Sequence, residues 1–501
     1  MKLGALRLGV FSLWLLATSG VAANSSNREL QLPVLGDTSS AISSPYQEQQ
    51  LGREALRFYR SQMPTSSDYQ VVQYLENLMG QLAPHSDLAD PAALQMVVIE
   101  NPTINAFAAP GGIIGVNTGL LNYAENEDQL ASVLAHELAH LSQRHYARRQ
   151  QQQQQMSVPY YAALLGSLIL AATSGSDAGM AAIMSTQAAA LDAQLRFSRQ
   201  FEQEADRLGM QTLARAGMDP NAAGDIFEIM LRATRYTERP PEFLLTHPVT
   251  ERRIADTRNR AMNLPSPAHA GNLEYHLMRA RIKVDHERSP QVAVQRFRDQ
   301  LAASEGRATE STPKSASESA NRYGLALAQV RSGQFDEAET TLEPLLDAEP
   351  ERVTYQLLAA ELDTERGHHE AALSRLNRLY EDEPDNYAIT MRYALALMKA
   401  NRFEQSTRLL SRFSRQRQSD PEVWYWLAEV SGLAGDIQQV HEARAEYFIQ
   451  VGAYRQALQQ LQNALKRTDD DSTHARILIR ERIKQVEEMQ RTAARLGLSS
   501  R

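Results

Sequence analysis

Gly333, Gly367 and Gly435 lie on a strict 34-residue interval, and Asn401 takes the one missing place in that series. Ala338 and Ala372 repeat at the same spacing, as do Pro350 and Pro384, while Phe335, His369, Phe403 and Ile437 share a further register. Helical apolar patterning broken by Gly or Asn at this period predicts helix–turn–helix units. A unit of that kind cannot bury its apolar face alone, so neighbours must stack into a curved solenoid with a concave surface. The clearest units run from about residue 319 to 454, flanked by more degenerate helical ones at 272–304 and 453–492. An all-α domain is therefore expected over 272–492, with a Ser/Thr-rich polar insertion near 305–320 and a short tail at 493–501.

At 501 residues the chain exceeds one typical core, and a second domain must precede the repeats. Leu264-Pro265-Ser266-Pro267 marks the boundary, with a linker at 265–271. The chain has no cysteine, which excludes disulfides, thiolate-bound metals and thiol catalysis. Any transition-metal site must then use His and carboxylates. The formal charge of −8 offers no basic footprint, so nucleic acid is not expected as a partner. Lys2 and Arg7 precede the apolar run Leu8–Ala17 and the small-residue stretch Ser19–Ala23, which reads as a signal peptide (1–23) cut near Ala23. A flexible leader is expected at 24–45. The second apolar tract, 156–191, carries Pro159 and Gly166 and is short for a span. It is read as a pair of helices covering the site, with a membrane span as the alternative and peripheral membrane contact as a further possibility.

Between 46 and 264 the pattern predicts helices from Tyr46 and from Ser67 to Leu82. A small sheet follows, from Leu94–Ile99, Asn105–Ala109 and Ile113–Asn117, with Gly111 and Gly112 at a turn or bulge. Asn126, two acids and Gln129 form an N-terminal capping signal. The helix that follows is expected to run to about Arg149. It carries His136-Glu137-Leu138-Ala139-His140. Residues four apart share a helical face, so both imidazoles can reach one metal ion, while Glu137 can reach a water bound to it. Ala135 and Ala139 are small and expected to leave room beside the metal.

A catalytic zinc site needs a third protein ligand. A His six residues after His140 is excluded, because position 146 is Tyr. His145, nine residues after His136, falls on the opposite helical face and reads as a surface or second-layer residue. Glu202 and Asp206 are four apart on a later helix. One of them can bind the metal while the other orients an imidazole, although acids such as Glu202 and Glu204 more commonly form a solvated face.

His-Glu-x-x-His, then Glu-x-x-Ala-Asp at 202–206 and Thr-His-Pro-x-x-x-x-Arg-Ile at 246–254, resembles the HtpX and CAAX-prenyl-endopeptidase family of zinc peptidases. Asn105-Ala-Phe-Ala and Asn117-Thr-Gly-Leu-Leu121 are similar to that family too, and the 34-residue units resemble tetratricopeptide repeats. The resemblance implies a mainly α chain: an α+β zincin-type metallopeptidase domain at 46–264, then a tetratricopeptide solenoid. It implies one Zn2+ on His136, His140 and Glu202, with Glu137 as catalytic base and Asp206 supporting or donating a proton. His247 is open between a turn cap, an oxyanion stabiliser and a fourth ligand that holds the enzyme latent. Arg253 and Asn105 are candidates for substrate contact or for supporting the ligands. The domain order is similar to the soluble periplasmic branch of the family. It implies a periplasmic endopeptidase degrading misfolded or stalled outer-membrane β-barrel proteins in a Gram-negative cell. The solenoid would bind these unfolded substrates or the β-barrel assembly machinery. An edge strand from Ala106–Ala109 or Ile113–Val116 could pair with an extended substrate. The competing readings are a repeat-based chaperone or adaptor with little proteolysis, and a membrane-bound HtpX-like peptidase.

Overall fold

The computed structural model describes residues 44–152, 198–234, 242–266, 272–305, 316–468 and 472–498. The signal segment, nearly all of the leader and the apolar tract 156–191 lie outside the described residues. Among the described residues, no helix is long and apolar enough to cross a membrane.

Helix α1 (Pro45–Gln62) opens on a reciprocal capping box between Ser44 and Gln47. Helix α2 (Tyr69–Leu82) begins two residues later than its pattern suggests, because the Asp68 carboxylate accepts from Gln70 N and Val71 N. Strands β1 (Gln95–Ile99), β2 (Ala106–Ala109) and β3 (Ile113–Asn117) form one sheet in the order β1-β3-β2, with β1 parallel and β2 antiparallel to β3. Because β3 is central, every residue in it is buried. This removes Ile113–Val116 as a pairing edge and leaves β2 as an open one among the described residues.

Helices α3 (Thr118–Tyr123) and α4 (Glu127–Ser142) follow. Asn126 Oδ1 accepts from Gln129 N at 3.0 Å, and Gln129 Oε1 accepts from Glu125 N at 2.7 Å, so the expected cap forms. Helix α4 is buried continuously from Glu127 to Ala139. It does not run on to Arg149. Arg144 adopts φ 50°, a left-handed residue that turns the chain, and a separate helix α5 occupies residues 145–152.

Helix α6 covers the described residues 198–215, followed by α7 (Ala222–Thr234), α8 (Glu242–Thr246) and α9 (Glu251–Ala261). A Cβ on Gly209 would stand 3.1 Å from His136 N, so the α6 backbone lies directly against α4. Ala139, Ala205 and Leu208 pack together at this crossing. The space expected beside Ala139 is therefore taken by α6, and the small residues let α6 bring its carboxylates to the histidines.

The repeats form six helix pairs among the described residues: α10 (Leu273–Asp285) and α11 (Pro290–Glu305), α12 (Ala316–Arg331) and α13 (Phe335–Ala348), α14 (Val353–Glu365) and α15 (His369–Asp382), α16 (Tyr387–Lys399) and α17 (Phe403–Gln416), α18 (Pro421–Leu433) and α19 (Ile437–Gln450), α20 (Tyr454–Arg467) and α21 (Thr473–Arg495). The periodic residues each close the first helix of a pair in left-handed backbone: Gly333 at φ 76°, Gly367 at 82°, Asn401 at 57° and Gly435 at 83°. Only Gly adopts this conformation freely, and Asn is among the few residues that tolerate it. Gly367→Ala is expected to lower stability by about 1–2 kcal/mol, read as a shift in urea midpoint. An unchanged midpoint contradicts that account of the period.

The peptidase unit lies against the row of first helices. Arg281 on α10 donates from Nε to Asp68 Oδ2 at 2.7 Å and from Nη1 to Tyr323 OH at 2.6 Å. Tyr69 meets Tyr387 edge-on at 5.4 Å and accepts from Trp426 Nε1 at 2.8 Å. Arg417 clasps Glu76 through both Nη atoms at 2.9 and 2.7 Å. Part of the solenoid surface expected to receive partners is thus occupied by α2.

Candidate active site

His136 and His140 stand one turn apart on α4, with their Nε2 atoms 3.0 Å from each other. From α6, Glu202 brings Oε2 to 3.4 Å from His136 Nε2 and Oε1 to 3.5 Å from His140 Nε2. His247 Nδ1 lies 3.1 Å from both Glu202 oxygens and 3.4 Å from His136 Nε2. One donor atom from each of these four residues falls within 4.8 Å of the others. Glu137 is wholly buried beside them, and neither of its oxygens has a hydrogen-bond partner among the described residues. A buried carboxylate without a donor is costly unless a cation offsets it. Imidazoles and a carboxylate around one point, with a second carboxylate adjacent, suit a divalent transition metal.

The sequence pattern left His247 on an unfixed loop, but the structure anchors it firmly. Its N–H donates to Phe243 O at 2.7 Å at the end of α8, and its ring stacks on Phe243 at 4.8 Å. Phe243 N in turn donates to Ile104 O at 3.3 Å, tying α8 to the start of β2. Phe243 belongs to the site, and nothing in a helical or strand period singles it out.

Asp206 Oδ1 is 3.0 Å from His136 Nδ1. Arg253 clamps Asp206 with Nε and Nη2 at 2.8 and 2.7 Å, donates from Nη1 to Pro248 O at 2.8 Å, and approaches Glu202 Oε2 at 3.1 Å. Arg253 is buried, with its guanidinium turned to Asp206 and Glu202. Asn105 precedes β2, where its carbonyl accepts from Asn117 N at 3.0 Å, and it is not among the cleft-lining residues.

His145 corrects the helical extrapolation. The break at Arg144 swings it back, so of the two readings the second-layer one holds: His145 is buried behind His140 and is not at the surface. Its Nδ1 is 2.8 Å from His140 Nδ1, its Nε2 is 3.2 Å from Glu204 Oε2, and its ring stacks on Phe201 at 4.3 Å. Glu204, which resembled a solvated helical acid, also accepts from Arg148 Nη1 at 2.9 Å.

Burial works against charge on His136, but Asp206 and Glu202 overcome it and lift its pKa to about 10. Burial, reinforced by charged His136, drives His140 well below the ordinary imidazole value. Burial would raise Glu202 and Asp206, yet their His and Arg partners hold both below the usual carboxylate range. Glu202 and Asp206 thus set a field that favours positive charge at this point, whether on an imidazole or on a metal cation bound with release of a proton.

A cleft of about 440 Å³ opens onto this cluster. Phe107, Ala108 and Ala109 of β2 line one side, and Glu137, His140 and His247 line its floor. Among the described residues one edge of β2 is unpaired, and this edge beside the His-Glu-x-x-His cluster is the arrangement of a metallopeptidase.

Comparison with known proteins agrees. Residues 70–261 match Peptidase family M48, while 323–386 and 364–430 match tetratricopeptide repeats. The chain is 33% identical to the beta-barrel assembly-enhancing protease of Escherichia coli (strain K12), over 86% of each chain. It is 34% identical to the putative beta-barrel assembly-enhancing protease of Vibrio cholerae, over 89% of this chain and 90% of that one. It is also 34% identical to the mitochondrial metalloendopeptidase OMA1 of Schizosaccharomyces pombe, over 36% of this chain and 50% of that one. The chain belongs to the family of beta-barrel assembly-enhancing proteases, metallopeptidases of family M48 that carry tetratricopeptide repeats.

Proposed function

We propose that the chain is a zinc endopeptidase of the periplasm that degrades misfolded or stalled outer-membrane β-barrel proteins. The observation that carries the chemistry is the convergence of partly buried His140 with buried His136 and Glu202, beside Glu137. Those first three residues would hold the metal. When bound, zinc supplies Lewis acidity and lowers the pKa of a coordinated water toward about 7. Glu137 takes the proton from the attacking water and passes it to the leaving amine. Asp206, fixed by Arg253, holds the His136 tautomer with Nε2 free to ligate. An extended substrate pairs with β2, whose main chain lines the cleft, so recognition needs little sequence specificity. The peptidase unit spans 46–264 and the repeats span 272–492. The repeats bring protein partners, the β-barrel assembly machinery among them. Likeness to relatives whose names refer to β-barrel assembly supports this placement.

Zinc content of the purified chain tests the reading. The wild type is expected to hold one zinc and Glu202→Ala to lose it; full retention by that variant moves the third ligand elsewhere. His247 reaches the same point as the ligands and also stands 3.6 Å from Glu137 Oε1. We read it as a fourth donor that competes with water and keeps the enzyme latent. His247→Ala should therefore raise the rate of cleavage of an unfolded substrate, and an unchanged or abolished rate rules latency out.

A further inference from the structure

We propose that His145 and Glu204 are positioning residues for the metal ligand His140. They act as a carboxylate–imidazole relay that matches, through one extra ring, the direct Asp206 contact on His136. This rests on the zinc reading above.

If His140 offers Nε2 to the metal, its proton must sit on Nδ1. The group 2.8 Å from that atom is His145 Nδ1. Two ring nitrogens can share one proton only if one donates and the other accepts, so His145 must present a lone pair at Nδ1. Its own proton then sits on Nε2, where Glu204 Oε2 accepts it at 3.2 Å. Glu204 is held by Arg148 Nη1 at 2.9 Å, and Arg148 also lies over the Phe201 ring at 4.8 Å. Phe201 stacks on His145 at 4.3 Å and 22° between planes, which fixes the ring's tilt. Every nitrogen in the chain Glu204–His145–His140 thereby has one defined role, and His140 is locked in its ligating tautomer.

The device depends on a backbone feature. Arg144 at φ 50° ends α4 and starts α5 in a new direction. On a continuous helix His145 would point away from His140. Here it packs under it, with only 3% of its surface exposed. Glu204, two residues from Glu202 on α6, lies on another side of that helix. Helix α6 therefore supplies Glu202 and Asp206 at the metal ligands and Glu204 at the relay behind them.

Zinc affinity of the purified full chain, measured by competition with a chromophoric chelator, tests this without reference to proteolysis. His145→Phe keeps the stacking on Phe201 but removes the acceptor, and it should weaken zinc binding about 10–100-fold. His145→Gln restores an acceptor for His140 Nδ1–H and should recover part of the loss. Glu204→Leu removes the far end of the relay and should weaken binding in the same direction by less. The visible spectrum of the cobalt-loaded protein should shift in His145→Phe relative to wild type. Zinc affinity equal to wild type in His145→Phe overturns the proposal. So does a lowered melting temperature of the chelated protein with affinity unchanged, which marks a purely structural role. Should His145→Phe fail to fold, wild-type affinity in Glu204→Leu overturns it equally. A wild type that binds no zinc overturns the metal reading itself, a result distinct from a variant that binds as well as wild type.

Discussion

Glu137→Gln is expected to lower peptide hydrolysis by about 10²–10⁴-fold while the protein keeps its zinc. Glutamine is nearly isosteric with glutamate, and the side chain is wholly buried with no hydrogen bond to lose among the described residues. The substitution therefore leaves the helix intact but replaces the basic carboxylate with an amide oxygen, which can accept a hydrogen bond and cannot take the water's proton. Cleavage of an unfolded β-barrel substrate by purified protein measures the loss, and metal analysis of the same sample measures retention. Cleavage within tenfold of wild type means that another group acts as base. Loss of zinc in parallel means that Glu137 belongs to the ligand set. Clearance of misfolded outer-membrane proteins by the variant as well as by wild type would favour a chaperone over a peptidase.

Arg281→Met should cost about 3–5 kcal/mol of stability, the largest structural effect expected of any single change away from the site. Arg281 is 1% exposed, and the substitution strands Asp68, which is buried, at the start of α2. Urea denaturation of the metal-free chain reads the loss. The double variant with Asp68→Asn should recover part of it, because no unpaired charge then remains. A loss below about 1 kcal/mol would show that water reaches Asp68. The pair also sets a pH dependence. Burial pushes the Asp68 carboxyl up, but Arg281 outweighs it and holds the group below its ordinary value of 3.8. Since the folded value lies below the unfolded one, this stabilisation is complete above about pH 4–5. It is lost as pH falls further. The stability difference between wild type and Arg281→Met should accordingly shrink as pH falls below about 4, because acid removes from the wild type the same pair that the variant already lacks.

Local sequence rules made some parts of the molecule legible and left others hidden. The 34-residue period predicted the solenoid because each Gly, and Asn401 in the missing place, meets a local backbone requirement. The His-Glu-x-x-His spacing placed two imidazoles on one face because helical geometry is fixed over a single turn. The Asn126 cap was readable for the same reason, since Gln129 lies within its reach. Extrapolation failed where a non-glycine residue turned the chain. Arg144 gives no sign of a left-handed conformation, so helical extrapolation runs past it and puts His145 on the face opposite the one it occupies. The order of the strands was equally hidden, because both β2 and β3 have strand-like sequences and only long-range pairing decides which is central. The role of Phe243 depends on α8 docking at Ile104, which no spacing along the chain records.

Helix α2 has a further consequence for how such a chain can change over generations. Its 14 residues span about 21 Å. Along that length it holds Arg281 from α10, Tyr387 from α16, Arg417 from the turn before α18 and Trp426 from α18 itself. The helix works as a gauge for the array. Adding or deleting a 34-residue unit between α10 and α18 would carry one set of these contacts away from α2 while the other stayed bound. Repeat arrays ordinarily vary in length by duplication, but this one has its count fixed between those two points by a helix of the neighbouring domain. Beyond α18 the array meets α1, where Tyr454 OH donates to Glu54 Oε2, a second hold on the array from the neighbouring domain.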